Sequence, residues 1–145
     1  MTALIEIVEH PTEEIVEAMA RLIPQLSSAA PPDAASLTTM ISGGSTLFVA
    51  RVDGRIVGSL TLVFYRIPTG LKAWIEDVVV DESARGLGVG EALSVAALDE
   101  ARRHDVKYVS LSSRPSRGAA NRLYQRLGFA ARDTNVYRYV LDADD

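Results

Sequence analysis

Residues 85–90 read Arg-Gly-Leu-Gly-Val-Gly, and they stand where the apolar run Val78-Val79-Val80 gives way to a helix-like pattern. Glycine in a first helical turn costs about 1 kcal/mol against alanine, so three alternating glycines need a use. A strand that feeds a glycine-rich turn and then a helix is an anion trap. The first amide hydrogens of the helix have no intrahelical acceptor, and the helix dipole adds about half a positive charge there. Glycine lets a phosphate approach the backbone with no Cβ in the way, and Arg85 adds a fork of donors. On this reading Arg85, Gly86, Leu87, Gly88, Val89 and Gly90 cradle a pyrophosphate. The same glycines also suit close packing of a helix on a sheet. Two commoner phosphate loops fail on spacing. A P-loop needs Gly-Lys followed by Ser or Thr, whereas Gly90 is followed by Glu91 and Ala92. The dinucleotide fingerprint separates its second and third glycines by two residues, whereas only Val89 separates Gly88 from Gly90.

The elements that must position this loop follow from periodicity. Residues 4–8 are short and β-branched, a first strand. Ile15, Met19, Leu22, Ile23 and Leu26 recur at helical spacing, with Glu13, Glu14 and Glu17 toward the N-terminal end. Residues 27–33 break that pattern, and Asp33 suits the cap of a second short helix carrying Leu37, Met40 and Ile41. Asp53-Gly54, flanked by apolar strand-like runs, predicts a hairpin with a type I′ turn. Residues 71–80 predict a fourth, central strand, 88–104 a helix, 107–113 a strand, 117–128 a helix stopped by Gly128, and 136–141 a final strand. The order is β-α-α-β-β-β-α-β-α-β. It predicts one α+β domain over 1–145: a mostly antiparallel, twisted sheet of about six to seven strands flanked by helices.

Composition narrows the function classes. The 145 residues are 48% hydrophobic and 23% charged, with a net charge of −4, so no basic surface advertises nucleic acid. With no cysteine, disulfides, thiolate metal sites and a cysteine nucleophile are excluded together. His10 and His104 read as helix-end residues, and no metal constellation is visible. The start, MTALIEIVEH, lacks a basic segment and meets Glu6, unlike a signal peptide. No stretch reaches 18 uninterrupted apolar residues, so no membrane span is expected and the expected location is cytoplasmic.

The spacing Arg85-x-x-Gly88-x-Gly90 resembles the coenzyme A pyrophosphate loop of the GNAT superfamily of acetyl-CoA-dependent N-acetyltransferases. In that family the loop follows the fourth strand, and a later helix carries an asparagine, a tyrosine three residues on, and then a Gly-Phe pair. Asn121, Tyr124, Gly128 and Phe129 match in order and separation. The resemblance covers essentially the whole chain. It implies direct acetyl transfer to a primary amine of a small molecule, peptide or protein, with acetyl-CoA as cosubstrate, no metal and no covalent enzyme intermediate. It also implies a splay between the fourth and fifth strands and allows a homodimer. A rival reading keeps the cofactor site but no turnover, as an acyl-CoA-binding sensor.

Within that resemblance each candidate takes a role. Backbone groups of Val78, Val79 and Val80 would hold the pantetheine arm, with an amide near Val78 facing the thioester oxygen. Asn121 would hydrogen-bond the arm, and Tyr124 would assist the departing thiolate; Tyr124 also fits an apolar helix stripe with Ala120, Leu123 and Leu127. A free alkyl ammonium has a pKa near ~10.4 and must lose a proton before attack. Strand alternation places Trp74, Glu76 and Val78 on one face and Asp77 on the other. Glu76 is therefore the candidate base or acceptor ligand, with Asp77 or a water relay as alternatives. Residues 75–80 also resemble the corresponding strand of glucosamine-6-phosphate N-acetyltransferases, where the glutamate lies near the acceptor. Arg114 and Arg117 are candidate anchors for an anionic acceptor or the cofactor's phosphates.

Overall fold

A computed structural model describes residues 2–142. They form two compact units, the first ending at Ser112 and the second beginning at Ser113. In the first unit the elements run β1 (Leu4–Ile7), α1 (Glu13–Leu22), a 3₁₀ turn (Ile23–Gln25), α2 (Ala34–Ser42), β2 (Ser45–Val52), β3 (Arg55–Ile67), β4 (Gly70–Val80), a second 3₁₀ turn (Glu82–Ala84), α3 (Val89–Arg102) and β5 (Val109–Ser110). The second unit carries α4 (Gly118–Leu127).

Local chemistry accounts for most boundaries. Thr12 caps α1 by accepting from the Ile15 amide, and Asp33 caps α2 by accepting from the Ser36 amide at 2.8 Å. Asp53 and Gly54 adopt φ of 52° and 81°, the double left-handed pair that a type I′ turn requires. Gly128 ends α4 at φ 105°, the C-terminal stop expected of it.

The sheet order is β1-β2-β3-β4-β5, antiparallel between neighbours except for the parallel β4–β5 pair. One face carries α1 and α2: Ile15, Ala18, Met19, Leu22 and Leu37 pack with Leu47, Val49, Ile56 and Val79. Burying a Leu or Ile side chain contributes about 1.5–3 kcal/mol, so this cluster is a principal anchor of the unit. The other face carries α3. A Cβ on Gly58 would come within 2.9 Å of Val89 Cγ1 and 3.1 Å of Leu93 Cδ1, so the missing side chain lets the helix start press onto β3. With both faces covered at this level, residues 56–60 of β3 are all buried.

Two expectations about strands are corrected. Among the described residues the sheet has five strands rather than six to seven, and β5 is limited to Val109–Ser110 within the expected 107–113. Residues 136–141, expected as a final strand, have no regular structure, and Val136, Tyr137, Tyr139 and Leu141 are each at least 84% exposed. Alternating residues supply propensity for a strand, but a ladder requires a hydrogen-bonding neighbour, and none is paired with this segment among the described residues.

Candidate functional site

The site is organised by an irregularity in β4. Its pairing with β3 runs Ile75↔Leu62 and Glu76↔Thr61, then steps to Val79↔Ser59, so β4 advances three residues while β3 advances two. The additional residue is accommodated with Asp77 at φ 50°, which is the signature of a β-bulge. Aspartate tolerates this left-handed conformation better than most side chains. The bulge corrects the expected alternation. Trp74 and Glu76 share a face, but the next β4 residue on that face is Val79, and Val78 is turned to the other. Val79 is buried with α1 and α2, so Glu76 belongs to the sheet face that those helices cover in part. Glu76 itself is exposed, which removes the cost of holding a carboxylate in a central strand.

On its other side β4 pairs with β5 only at Ala73↔Val109 and Trp74↔Ser110, and β4 continues to Val80. At that end Asp81 starts the second 3₁₀ turn. Its amide donates to Val57 O at 2.7 Å, and its Oδ1 accepts from the Ser83 amide at 2.9 Å and from Ser83 Oγ at 2.7 Å. The Ser83 hydroxyl and amide, helped by Gln25, hold the Asp81 carboxyl down at about 2. Past Ala84 the chain opens. Gly86 and Gly88 have φ of 81° and 79°, and a Cβ at either would meet no heavy atom within 4 Å. Gly88 is the N-cap of α3, where no side chain caps the first turn, so the Val89 and Gly90 amides at the helix start face no side-chain cap. Val89 is 1% exposed and plugs the helix start into the core, so only its backbone faces the loop; Leu87 is exposed. Gly90 lies in the first turn, its carbonyl accepting from Ser94 Oγ at 2.8 Å. Exposed Arg85 makes a long contact, Nε to Val80 O at 3.4 Å.

The second unit brings together the other candidates. Arg117 is the N-cap of α4, and its amide donates to Arg114 O at 3.0 Å. Asn121 Nδ2 donates to the same carbonyl at 2.9 Å, so the asparagine fixes the loop before the helix and keeps Oδ1 available for a donor. Tyr124 is half-buried, its ring edge-on to Phe129 with centroids 5.7 Å apart. Burial pushes its phenol pKa up, with nearby Arg117 pulling the other way, so at neutral pH the hydroxyl is a donor. Ala120, Leu123 and Leu127 are half-buried with it, so the stripe is real and carries the tyrosine. Arg114 and Arg117 are both exposed.

Gln25, Asp81 and Ser83 escape a reading by motif. Asp81-x-Ser83 is visible in retrospect as a side chain bonding its own backbone two residues on. Gln25 leaves no local signal. Among the described residues no group of three His, Cys, Asp or Glu is placed to hold a metal ion, and no helix is long and apolar enough to cross a membrane.

A family profile described as the Acetyltransferase (GNAT) family matches residues 12–129. The chain belongs to this family. It is 35% identical over 96 residues to mycothiol acetyltransferase of Thermomonospora curvata, covering 66% of this chain and 29% of that protein. It is 36% identical over 93 residues to the glucosamine 6-phosphate N-acetyltransferase of Trypanosoma brucei brucei, covering 62% of this chain and 61% of that one. The matched stretches thus span less than two thirds of both relatives. Among solved structures, an acetyltransferase from Trypanosoma brucei superposes with a TM-score of 0.78 at 27% identity, covering 96% of this chain and 100% of its own.

Proposed function

We propose that this chain is an acetyl-CoA-dependent N-acetyltransferase of one domain, residues 1–145, acting on a primary amine of a small molecule, peptide or protein. The observation that carries the reading is the open glycine cradle, Arg85 to Gly90, at an uncapped helix N-terminus directly after β4 in a GNAT chain. The cradle fits the group: at Gly86 and Gly88 the space a Cβ would take is empty, so a phosphate oxygen can reach the backbone amides. The family match crosses the boundary at Ser112, which supports one family domain over both units.

Bound acetyl-CoA supplies an acetyl group activated as a thioester. The amides of the α3 start and the Arg85 guanidinium hold its pyrophosphate. Beyond Trp74 the β4–β5 ladder has ended, and the backbone of Val78, Val79 and Val80 holds the arm there, in a splay between the two strands. One amide near Val78 donates to the carbonyl oxygen as charge develops on it, an effect typically worth a few kcal/mol. Glu76 accepts a proton from the acceptor's ammonium, directly or through water. The Tyr124 hydroxyl, kept protonated by burial, donates to the departing sulfur. A free phenol (pKa near ~10) is a weaker acid than a thiol (near ~8.5), so Tyr124 contributes a strengthening hydrogen bond rather than complete proton transfer. Arg114 and Arg117 offer charge to an anionic acceptor. The names of the two sequence relatives, a mycothiol acetyltransferase and a glucosamine 6-phosphate N-acetyltransferase, support acetyl transfer, the second to an amine.

The test is coenzyme A release from acetyl-CoA across a panel of amino sugars, aminoglycosides, polyamines and peptides. Acceptor-dependent release of free thiol is expected. Calorimetric binding of acetyl-CoA with no release on any amine would favour the sensor reading instead.

A further inference from the structure

The loop that carries the cradle is free at its tip and held at its stem, and one holding contact comes from a distant part of the chain. Gln25, in the 3₁₀ turn that ends α1, accepts from the Glu82 amide through Oε1 at 3.0 Å. Its Nε2 donates to Asp81 Oδ2 at 3.2 Å and to Arg21 O at 3.2 Å. Asp81 is 8% exposed and spends its other oxygen on Ser83. A single amide side chain therefore ties both residues at the start of the loop to the first helix, and its own position is set by the last turn of that helix.

We propose that Gln25 is a positioning residue for acetyl-CoA binding: it clamps the stem of the Arg85–Gly90 loop so that the α3 amides stand ready for the pyrophosphate. The proposal rests on the acetyltransferase reading above. Gly86 and Gly88 give the tip more conformational freedom than any other residue type would, and ordering such a segment opposes binding. A clamp on the stem settles part of that ordering before the ligand arrives. Its effect should fall on cofactor affinity and leave the chemical step alone, because Gln25 bonds Arg21, Asp81 and Glu82 and none of the residues proposed for the chemistry.

The experiment uses the whole chain. Gln25→Ala removes all three side-chain hydrogen bonds of an exposed residue. Gln25→Glu keeps an oxygen for the Glu82 amide but sets a second carboxylate against Asp81. Both should weaken acetyl-CoA binding by calorimetry about tenfold, in line with losing hydrogen bonds that include one to a charged group. The acetyl-CoA KM should rise with it, while kcat at saturation and the acceptor KM stay within about twofold. Wild-type affinity in both variants would overturn the proposal, as would a fall in kcat with acetyl-CoA KM unchanged. If the wild-type chain itself binds no acetyl-CoA, the acetyltransferase reading fails first and this proposal with it; if only the variants match wild type, the clamp alone is wrong.

Discussion

Replacing Gly88 by alanine separates the cradle from ordinary backbone strain. Gly88 sits at φ 79° and is the N-cap of α3. An L-residue in that region costs about 1–2 kcal/mol, and alanine is a poorer N-cap than glycine by up to about 1 kcal/mol. Stability should fall by roughly 2 kcal/mol, a Tm loss of about 4–8 °C for a chain of this size. Gly54 provides the control, because it has φ 81° with the same empty space around a Cβ but lies in the β2–β3 turn. Gly54→Ala should therefore show a similar strain and leave acetyl-CoA affinity unchanged. At Gly88 the new methyl stands where a phosphate oxygen would approach. Losing one charge-assisted amide bond costs about 1.5–3 kcal/mol, so affinity should drop by roughly 10- to 150-fold. Calorimetry of both variants against acetyl-CoA, at a temperature where both are folded, reads the difference. Equal affinities in Gly88→Ala and Gly54→Ala would refute the cradle, whatever happens to Tm.

Three further outcomes are expected. Glu76→Gln keeps the shape and removes proton acceptance, so kcat should fall about 10²-fold; a rise in acceptor KM alone would make Glu76 a ligand and not the base. Tyr124→Phe should lower kcat and kcat/KM together by roughly 10²-fold with acetyl-CoA affinity intact, and an acyl donor with a more acidic thiol should recover much of the loss; equal slowing with both donors would return Tyr124 to packing. Asp77→Val, a β-branched residue placed at φ 50°, should cost about 1–2 kcal/mol, seen as a Tm loss of roughly 3–8 °C, whereas Asp77→Gly should keep or raise Tm.

What was legible in the chain was whatever is decided within a few residues. Asp33 as a cap, Asp53-Gly54 as a turn, Gly128 as a stop and the glycine turn before α3 each owe their structure to near neighbours, and each stands where periodicity and turn chemistry put it. Features decided by pairing across the sequence were not legible. The bulge depends on how β4 registers against β3, and Asp77 carries no glycine or proline to announce it. The Gln25–Asp81 bond joins residues 56 apart. Residues 136–141 alternate as a strand should, yet have no ladder among the described residues, because propensity does not supply a partner.

The bulge also explains why the acid and the valines on β4 can serve different ends. In an unbroken strand Glu76 and Val78 would point the same way, and Val79 would leave the α1–α2 core. The extra residue keeps Glu76 on that face in solvent and returns Val79 to the same face under the helices, where it is 4% exposed. A bulge also sharpens the local twist of its strand. The β4–β5 ladder ends at Trp74, just ahead of the bulge. One left-handed aspartate thus accounts for the direction of the candidate base and for the anchoring of the strand that leads to the Arg85–Gly90 loop.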